Sequence, residues 1–204
     1  MLNFDIFVVA SKKRPSLVTE YLTKIEHTVY YTPDYDLPQN WEVNPNYLNY
    51  VENHIGAYRC FRGHQDVLKM MTKDMALVFE DDAVPNRNDW LEIANKSIKM
   101  LEQFEIVSLH GRMIMGIKNK VVLDDLNFVE LSPVKFDVYK NRKVFLKKSF
   151  GSLAYLIKKN IAQRIIQKKY EGYPMDLYLM NEFCACILEP SPFDHDRRHG
   201  TLIG

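Results

Sequence analysis

Three adjacent acids, Glu80, Asp81 and Asp82, close the apolar run Ala76-Leu77-Val78-Phe79 and precede Ala83-Val84-Pro85. Carboxylates side by side repel one another, so a fold that gathers them commonly supplies a cation to neutralise them. Hard oxygen ligands suit Mg²⁺ or Mn²⁺, and Mg²⁺ is typically held by one or two carboxylates together with substrate phosphates. The same letters also fit a solvated acidic turn. What the rest of the chain brings beside them decides between the two.

A second polar cluster, Ser11-Lys12-Lys13-Arg14-Pro15, follows the apolar run Phe4–Ala10. Cations and a turn at that place suit the base and phosphates of a nucleotide, with Ala10, Ser11, Lys12 and Arg14 as the candidate contacts. The turn lacks the glycines of dinucleotide-binding and Walker-type loops, which argues against both. Between the clusters stand Arg59, Arg62 and His64; the arginines fit solvated positions as well, and the histidine fits a satisfied core residue as well as a ligand. Further along come His110 and Arg112, then Asp176 after Pro174-Met175, then His195 and His199 among Asp194, Asp196, Arg197 and Arg198.

The elements that must position these groups alternate. Phe4–Ala10, His27–Tyr31, Ala76–Phe79, Glu105–Leu109, Gly151–Ile157 and Cys184–Leu188 are short apolar or β-branched runs that read as buried strands. Helices are expected over Leu17 to about Ile25 capped by Ser16, Ile55 to Met71, Trp90 to Phe104 capped by Asn86 or Asn88, Asn160 to Lys169 capped by Asn160, and a short one opening at Asp176. An acid in a first helical turn is favoured by the helix dipole, which is the plain reading of Asp176. Along the second helix Ala57, Cys60, Phe61, His64, Val67, Leu68 and Met71 recur at three- and four-residue spacing and form one buried stripe. Residues 32 to 50 read as a long loop, 113 to 149 as hairpins, and the end as a polar, proline-rich tail. Strands alternating with helices predict an α/β sandwich on a central, mostly parallel mixed sheet. Acids that end an interior strand of such a sheet lie where open α/β folds bind ligands.

Composition narrows the classes. With 204 residues and 47% hydrophobic content, one domain with one large core is the simplest organisation, and the abrupt end in HGTLIG fits a domain cut from a longer chain. Lys and Arg number 27 against 26 acids, so no basic field points to nucleic acid. Three cysteines make neither a disulfide framework nor a zinc-finger spacing. Free thiols, no basic leader before Phe4 and no apolar run long enough to span a membrane predict a cytoplasmic setting.

Taken in order, four pieces resemble glycosyltransferase family 25, the lipooligosaccharide and collagen galactosyltransferase type with a GT-A fold. They are Gly56-Ala57-Tyr58-Arg59-Cys60-Phe61-Arg62-Gly63-His64, Val78-Phe79-Glu80-Asp81-Asp82-Ala83-Val84, Phe150–Ile157 and Tyr173-Pro174-Met175-Asp176. Gly63 stands where that family carries serine. Short length and a divergent opening turn also suit a viral relative. The resemblance implies transfer of a sugar from a nucleotide-diphosphate donor, most naturally a UDP-sugar, to a glycan or other hydroxyl acceptor. It implies Asp82 as a direct ligand of Mn²⁺ or Mg²⁺, Glu80 acting directly or through water or the ribose, and Asp81 toward the sugar. His195 or His199 would complete the metal site, and Ala10, Ser11, Lys12, Arg14, Arg59, Arg62 and His64 would serve the nucleotide. Asp176 would be the general base of an inverting transfer, or would hold sugar hydroxyls in a retaining one, with His110 and Arg112 at the acceptor. A nucleotidyltransferase is the alternative on the same sheet, disfavoured by the glycine-free turn. A non-catalytic nucleotide-sugar- or carbohydrate-binding domain is the other.

Overall fold

Period-two alternation along the strands sorts side chains into two cores. In β1 (Asp5–Ala10), Phe7 and Val9 face one way and Ile6, Val8 and Ala10 the other. In β3 (Met75–Glu80), Ala76 and Val78 oppose Leu77 and Phe79 in the same manner. A strand buried on both faces needs a cover on each side, which is the layered sandwich expected from sequence. The computed structural model describes residues 2–13, 16–42, 54–111, 119–131, 152–172 and 174–196.

The central sheet has eight strands in the order β2 (Thr28–Tyr31), β1, β3, β8 (Ala154–Lys158), β5 (Ile106–Ser108), β9 (Ala185–Glu189), β7 (Leu126–Leu131) and β6 (Lys120–Leu123). Six strands point one way, and β7 and β8 run against them. The α/β/α sandwich with a mostly parallel mixed sheet is therefore what forms. One face is covered by α1 (His54–Lys69), α3 (Lys159–Gln167) and α4 (Met175–Glu182). The other is covered by α2 (Trp90–Ser97) and the 3₁₀ segments Leu17–Tyr21 and Ile98–Glu102. Gln65 of α1 donates to the carbonyls of Ile165 and Lys168, both at 2.8 Å, and so satisfies the frayed end of α3. Among the described residues no helix is long and apolar enough to cross a membrane.

Several elements differ from expectation. The helix after Ser16 is only one 3₁₀ stretch, and Ser16 makes no side-chain cap. Its first amides, of Leu17 and Val18, donate instead to the carbonyl of Asp81 at 2.8 and 3.4 Å. The long helix from Trp90 breaks into α2 and a 3₁₀ turn, and Asn86 does not cap it. α3 starts at Lys159, so Asn160 is inside it rather than capping it. Of the hairpins expected over 113–149, β6 and β7 form one; residues 112–118 and 132–151 lie outside the described residues.

The supposed tail contains a strand. β10 (Phe193–His195) pairs antiparallel with β4 (Ala83–Pro85), setting His195 opposite Ala83. Phe193 is buried edge-on against Phe79 and Trp90 at centroid distances of 5.1 and 5.5 Å, which fastens the strand to the core. Asn86 ties it further, donating from Nδ2 to the Ser191 carbonyl at 3.1 Å and to Asp194 at 3.0 Å. Asn86→Ala is expected to cost about 0.5–1.5 kcal/mol, the net worth of an ordinary hydrogen bond, in denaturant unfolding.

Gly63 has a packing reason. A Cβ there would come within 2.4 Å of Thr32 Oγ1 and 2.8 Å of Val9 Cγ1. Both neighbours are β-branched and stiff, so neither yields easily. Gly63→Ala should gain up to about 1 kcal/mol of helix propensity and lose about 1–3 kcal/mol to overpacking. A net fall in thermal midpoint is the expected result; a rise would show that α1 shifts away freely.

Candidate functional site

β1, β2 and β3 are parallel and in register, Val9 facing both Tyr30 and Glu80, so their carboxyl ends lie together. Those ends and the first turns of α1 enclose a pocket of about 250 Å³, lined among others by Ala10, Ser11, Lys13, Arg59, Glu80 and Asp81. This is the crevice where α/β sheets take ligands. The Ser11 amide donates to Asp81 Oδ2 at 2.8 Å, locking the first turn to the acidic one. Arg59 is fixed at the wall, its Nη1 2.9 Å from Asp34 and its Nε donating to the Tyr35 carbonyl at 2.9 Å.

The predicted nucleotide contacts thus divide. Ala10, Ser11, Arg59 and Asp81 line the pocket. Lys12 is exposed and outside the lining, and Lys13 takes the wall position, 3.8 Å from Asp34. Arg62 pairs with Asp66 at 3.7 Å and lies over the Tyr35 ring at 5.2 Å, away from the pocket. Arg14, Arg112 and His199 lie outside the described residues. Thr32 and Pro33, from the long loop, complete the wall; their order in sequence carries no periodic signal that would have named them.

The three acids part company because β3 ends at Glu80 and the chain turns through Asp81 and Asp82. Glu80 turns to the α1 face, where its Oε1 accepts from Ser152 Oγ and lies 3.4 Å from His64 Nε2 and 3.9 Å from Cys60 Sγ. Burial pushes the Glu80 pKa up, but the His64 imidazole, the Ser152 hydroxyl and the charge of His195 outweigh it and hold the carboxyl well below its usual range. Asp81 and Asp82 are only 1% and 5% exposed. Asp82 Oδ2 lies 3.5 Å from His195 Nδ1, and the Asp82 carbonyl accepts from the Asp196 amide at 2.9 Å. Asp82 and His195 are therefore together, while Glu80 faces His64 and Cys60.

His110 is buried rather than open to an acceptor. Its Nδ1 lies 2.9 Å from the Phe193 carbonyl and its ring meets His195 edge-on at 4.7 Å. Burial lowers its pKa, the Phe193 carbonyl partly opposing. Its contacts bear on where β10 holds His195. Asp176 occupies the second position of α4, behind Pro174. Burial raises the Cys60 thiol well above its usual range, and the charges of Glu80, Asp176, Asp82 and Asp81 add to that. The charge of Asp176 thus reaches Cys60 from α4, which covers the same face of the sheet as α1.

The family described as Glycosyltransferase family 25 (LPS biosynthesis protein) matches over residues 49–179, which span Cys60, His64, the three acids and Asp176 and stop short of His195. No curated protein sequence matches the chain. Among solved structures, A197 from STIV is similar over 95% of this chain and 85% of its own, at 12% identity and a TM-score of 0.50, which is a likeness of fold. HddC from Yersinia pseudotuberculosis is aligned over 91% of this chain and 68% of its own, at 11% identity and a TM-score of 0.37. With the matched family covering most of the chain, including the acidic strand and the helix before it, the chain belongs to glycosyltransferase family 25 and is a glycosyltransferase.

Proposed function

We propose that the chain is a GT-A-type hexosyltransferase that moves a sugar from a UDP-sugar to a hydroxyl of a glycan acceptor, using Mn²⁺ or Mg²⁺. The observation that carries this reading is the 3.5 Å approach of His195 to Asp82 beside a pocket built from three parallel strand ends. The donors fit such an ion. A carboxylate with diphosphate oxygens suits either metal, and an imidazole nitrogen tilts the set toward Mn²⁺. Asp82 and His195 would hold it, with Glu80 at its border. When bound, it supplies positive charge for the departing diphosphate.

The chain's own groups do the rest. Ala10 and Ser11 offer backbone to the nucleotide, and Arg59 and Lys13 offer positive charge at the pocket wall. Asp81 keeps that wall in place through the Ser11 amide and faces the sugar. Asp176 takes the acceptor hydroxyl's proton as a positioned general base in an inverting transfer. The unpaired thiols of Cys60, Cys184 and Cys186 agree with a cytoplasmic setting. Calorimetric titration with UDP tests the donor assignment: binding should tighten about tenfold or more when Mn²⁺ is present, about 1.4 kcal/mol. Failure of UDP to bind with Mn²⁺ present would remove it.

A further inference from the structure

Cys60, His64 and Glu80 each turn one ligand atom toward the others, all within 4.8 Å. Cys60 and His64 are one helical turn apart on the same face of α1, and Glu80 meets them from the end of β3. The spacings are poor for hydrogen bonds: 3.4 Å from His64 Nε2 to Glu80 Oε1 and 3.9 Å from Cys60 Sγ to the same oxygen. His64 is fully buried, and its Nε2 has no hydrogen-bond partner of good geometry among the described residues. The two distances to Glu80 lie near the ligand–ligand edges of a shared tetrahedral ion, the sulfur standing a few tenths of an ångström long. Nitrogen and oxygen ligands at zinc bond lengths stand about 3.4 Å apart, and sulfur and oxygen ligands about 3.6 Å.

We propose that Cys60, His64 and Glu80 form a site for Zn²⁺ or a similarly thiophilic divalent cation, open toward the pocket. Thiolate, imidazole and carboxylate together select zinc over Mg²⁺, which takes oxygen ligands. The surroundings resemble an outer shell. His64 Nδ1 lies 2.9 Å from Tyr155 Oη, and with Nδ1 as the donor the Nε2 lone pair faces Cys60 and Glu80. Ser152 donates to Glu80 Oε1 and orients it. Cys60 and Glu80 both line the 250 Å³ pocket, which gives an ion its entry path and leaves the fourth position to water. The site borders the Asp82–His195 pair at Glu80 but takes its other ligands from α1, and ion binding there does not depend on sugar transfer.

Co²⁺ titration of the metal-stripped chain tests it, because a cobalt–thiolate bond gives a charge-transfer absorption that oxygen and imidazole ligands alone do not. The wild type should develop that band to saturation at a single equivalent and lose it to added Zn²⁺. Asp82→Asn should keep the band and Cys60→Ser should lose it. Tyr155→Phe should weaken binding by about 10–100-fold, as loss of an outer-shell partner does. His64→Gln should weaken it further, and if that variant does not fold, the near-isosteric Cys60→Ser decides. No thiolate band in the wild type, or a band that survives Cys60→Ser and so belongs to Cys184 or Cys186, would overturn the proposal. UDP binding with Mn²⁺ is a separate readout, so either reading can fail alone.

Discussion

Asp82→Ala is expected to lower kcat/KM by roughly 10²–10³-fold, the scale on which losing one preorganised electrostatic partner of the leaving group is felt, and to abolish the response to Mn²⁺. The residue is 5% exposed, sits beside two other acids and approaches His195 at 3.5 Å. Alanine removes its charge from that crowd. The backbone bond from the Asp196 amide to the Asp82 carbonyl is retained. Stability should therefore hold or rise slightly while activity falls, a split that misfolding would not produce. Steady-state kinetics across a Mn²⁺ series, with thermal melts of the same preparations, measures both. An Asp82→Ala enzyme with undiminished, metal-responsive turnover would move the metal elsewhere.

Asp176→Asn should reduce transfer by roughly 10²–10⁴-fold, the usual contribution of a general base, while leaving donor affinity unchanged. Asparagine keeps the shape and cannot take a proton at neutral pH. The acid also lies in the first turn of α4, where its charge favours the helix by about 0.3–1 kcal/mol. A small drop in thermal midpoint should therefore accompany the kinetic loss. Comparing kcat with the dissociation constant of the UDP-sugar separates the roles. Loss of donor binding would make Asp176 a donor-positioning residue, and transfer near the wild-type rate would remove it from the reaction.

Much of this architecture was legible because buried strands announce themselves locally. Phe4–Ala10, Ala76–Phe79 and Cys184–Leu188 are apolar on both faces and nearly all became strands of the central sheet. The stripe through Ala57, Phe61, His64, Val67 and Leu68 gave α1 its buried side. What local pattern could not carry was pairing. β8 runs against both β3 and β5, and nothing in Ala154–Lys158 itself encodes direction. β10 is three residues long, too short for a period, and exists because Phe193 packs on Phe79 and Trp90 while His195 pairs opposite Ala83. The 3₁₀ stretch at Leu17 is short of the expected helix, and its first amides are held by Asp81 from another strand.

The site shows the same division. The acidic turn and its place at a strand end follow from the order of residues, and so does the basic turn after β1. Which cation faces the pocket does not: Lys13 does and Lys12 does not, a difference of one residue along an irregular turn. Arg62 was drawn off by Asp66 and Tyr35, partners that only the tertiary structure supplies. The different surroundings of the three acids came from the end of β3 at Glu80: that residue, still in the strand, meets His64, while the turn that follows carries Asp82 to His195.

In the proposed reaction Asp82 holds the cation through which a nucleotide-diphosphate sugar binds. Thermal melts of the wild type and Asp82→Ala across a nucleotide-sugar panel, with and without Mn²⁺, test it most directly. At a donor concentration about 100 times the dissociation constant, binding to the native state alone adds about 2.7 kcal/mol, or roughly 5–10 °C for a chain of this size. That shift is expected for at least one nucleotide sugar in the wild type, only with Mn²⁺, and should be lost in Asp82→Ala. An unshifted wild type throughout the panel, or an Asp82→Ala chain that keeps the full Mn²⁺-dependent shift, would contradict it.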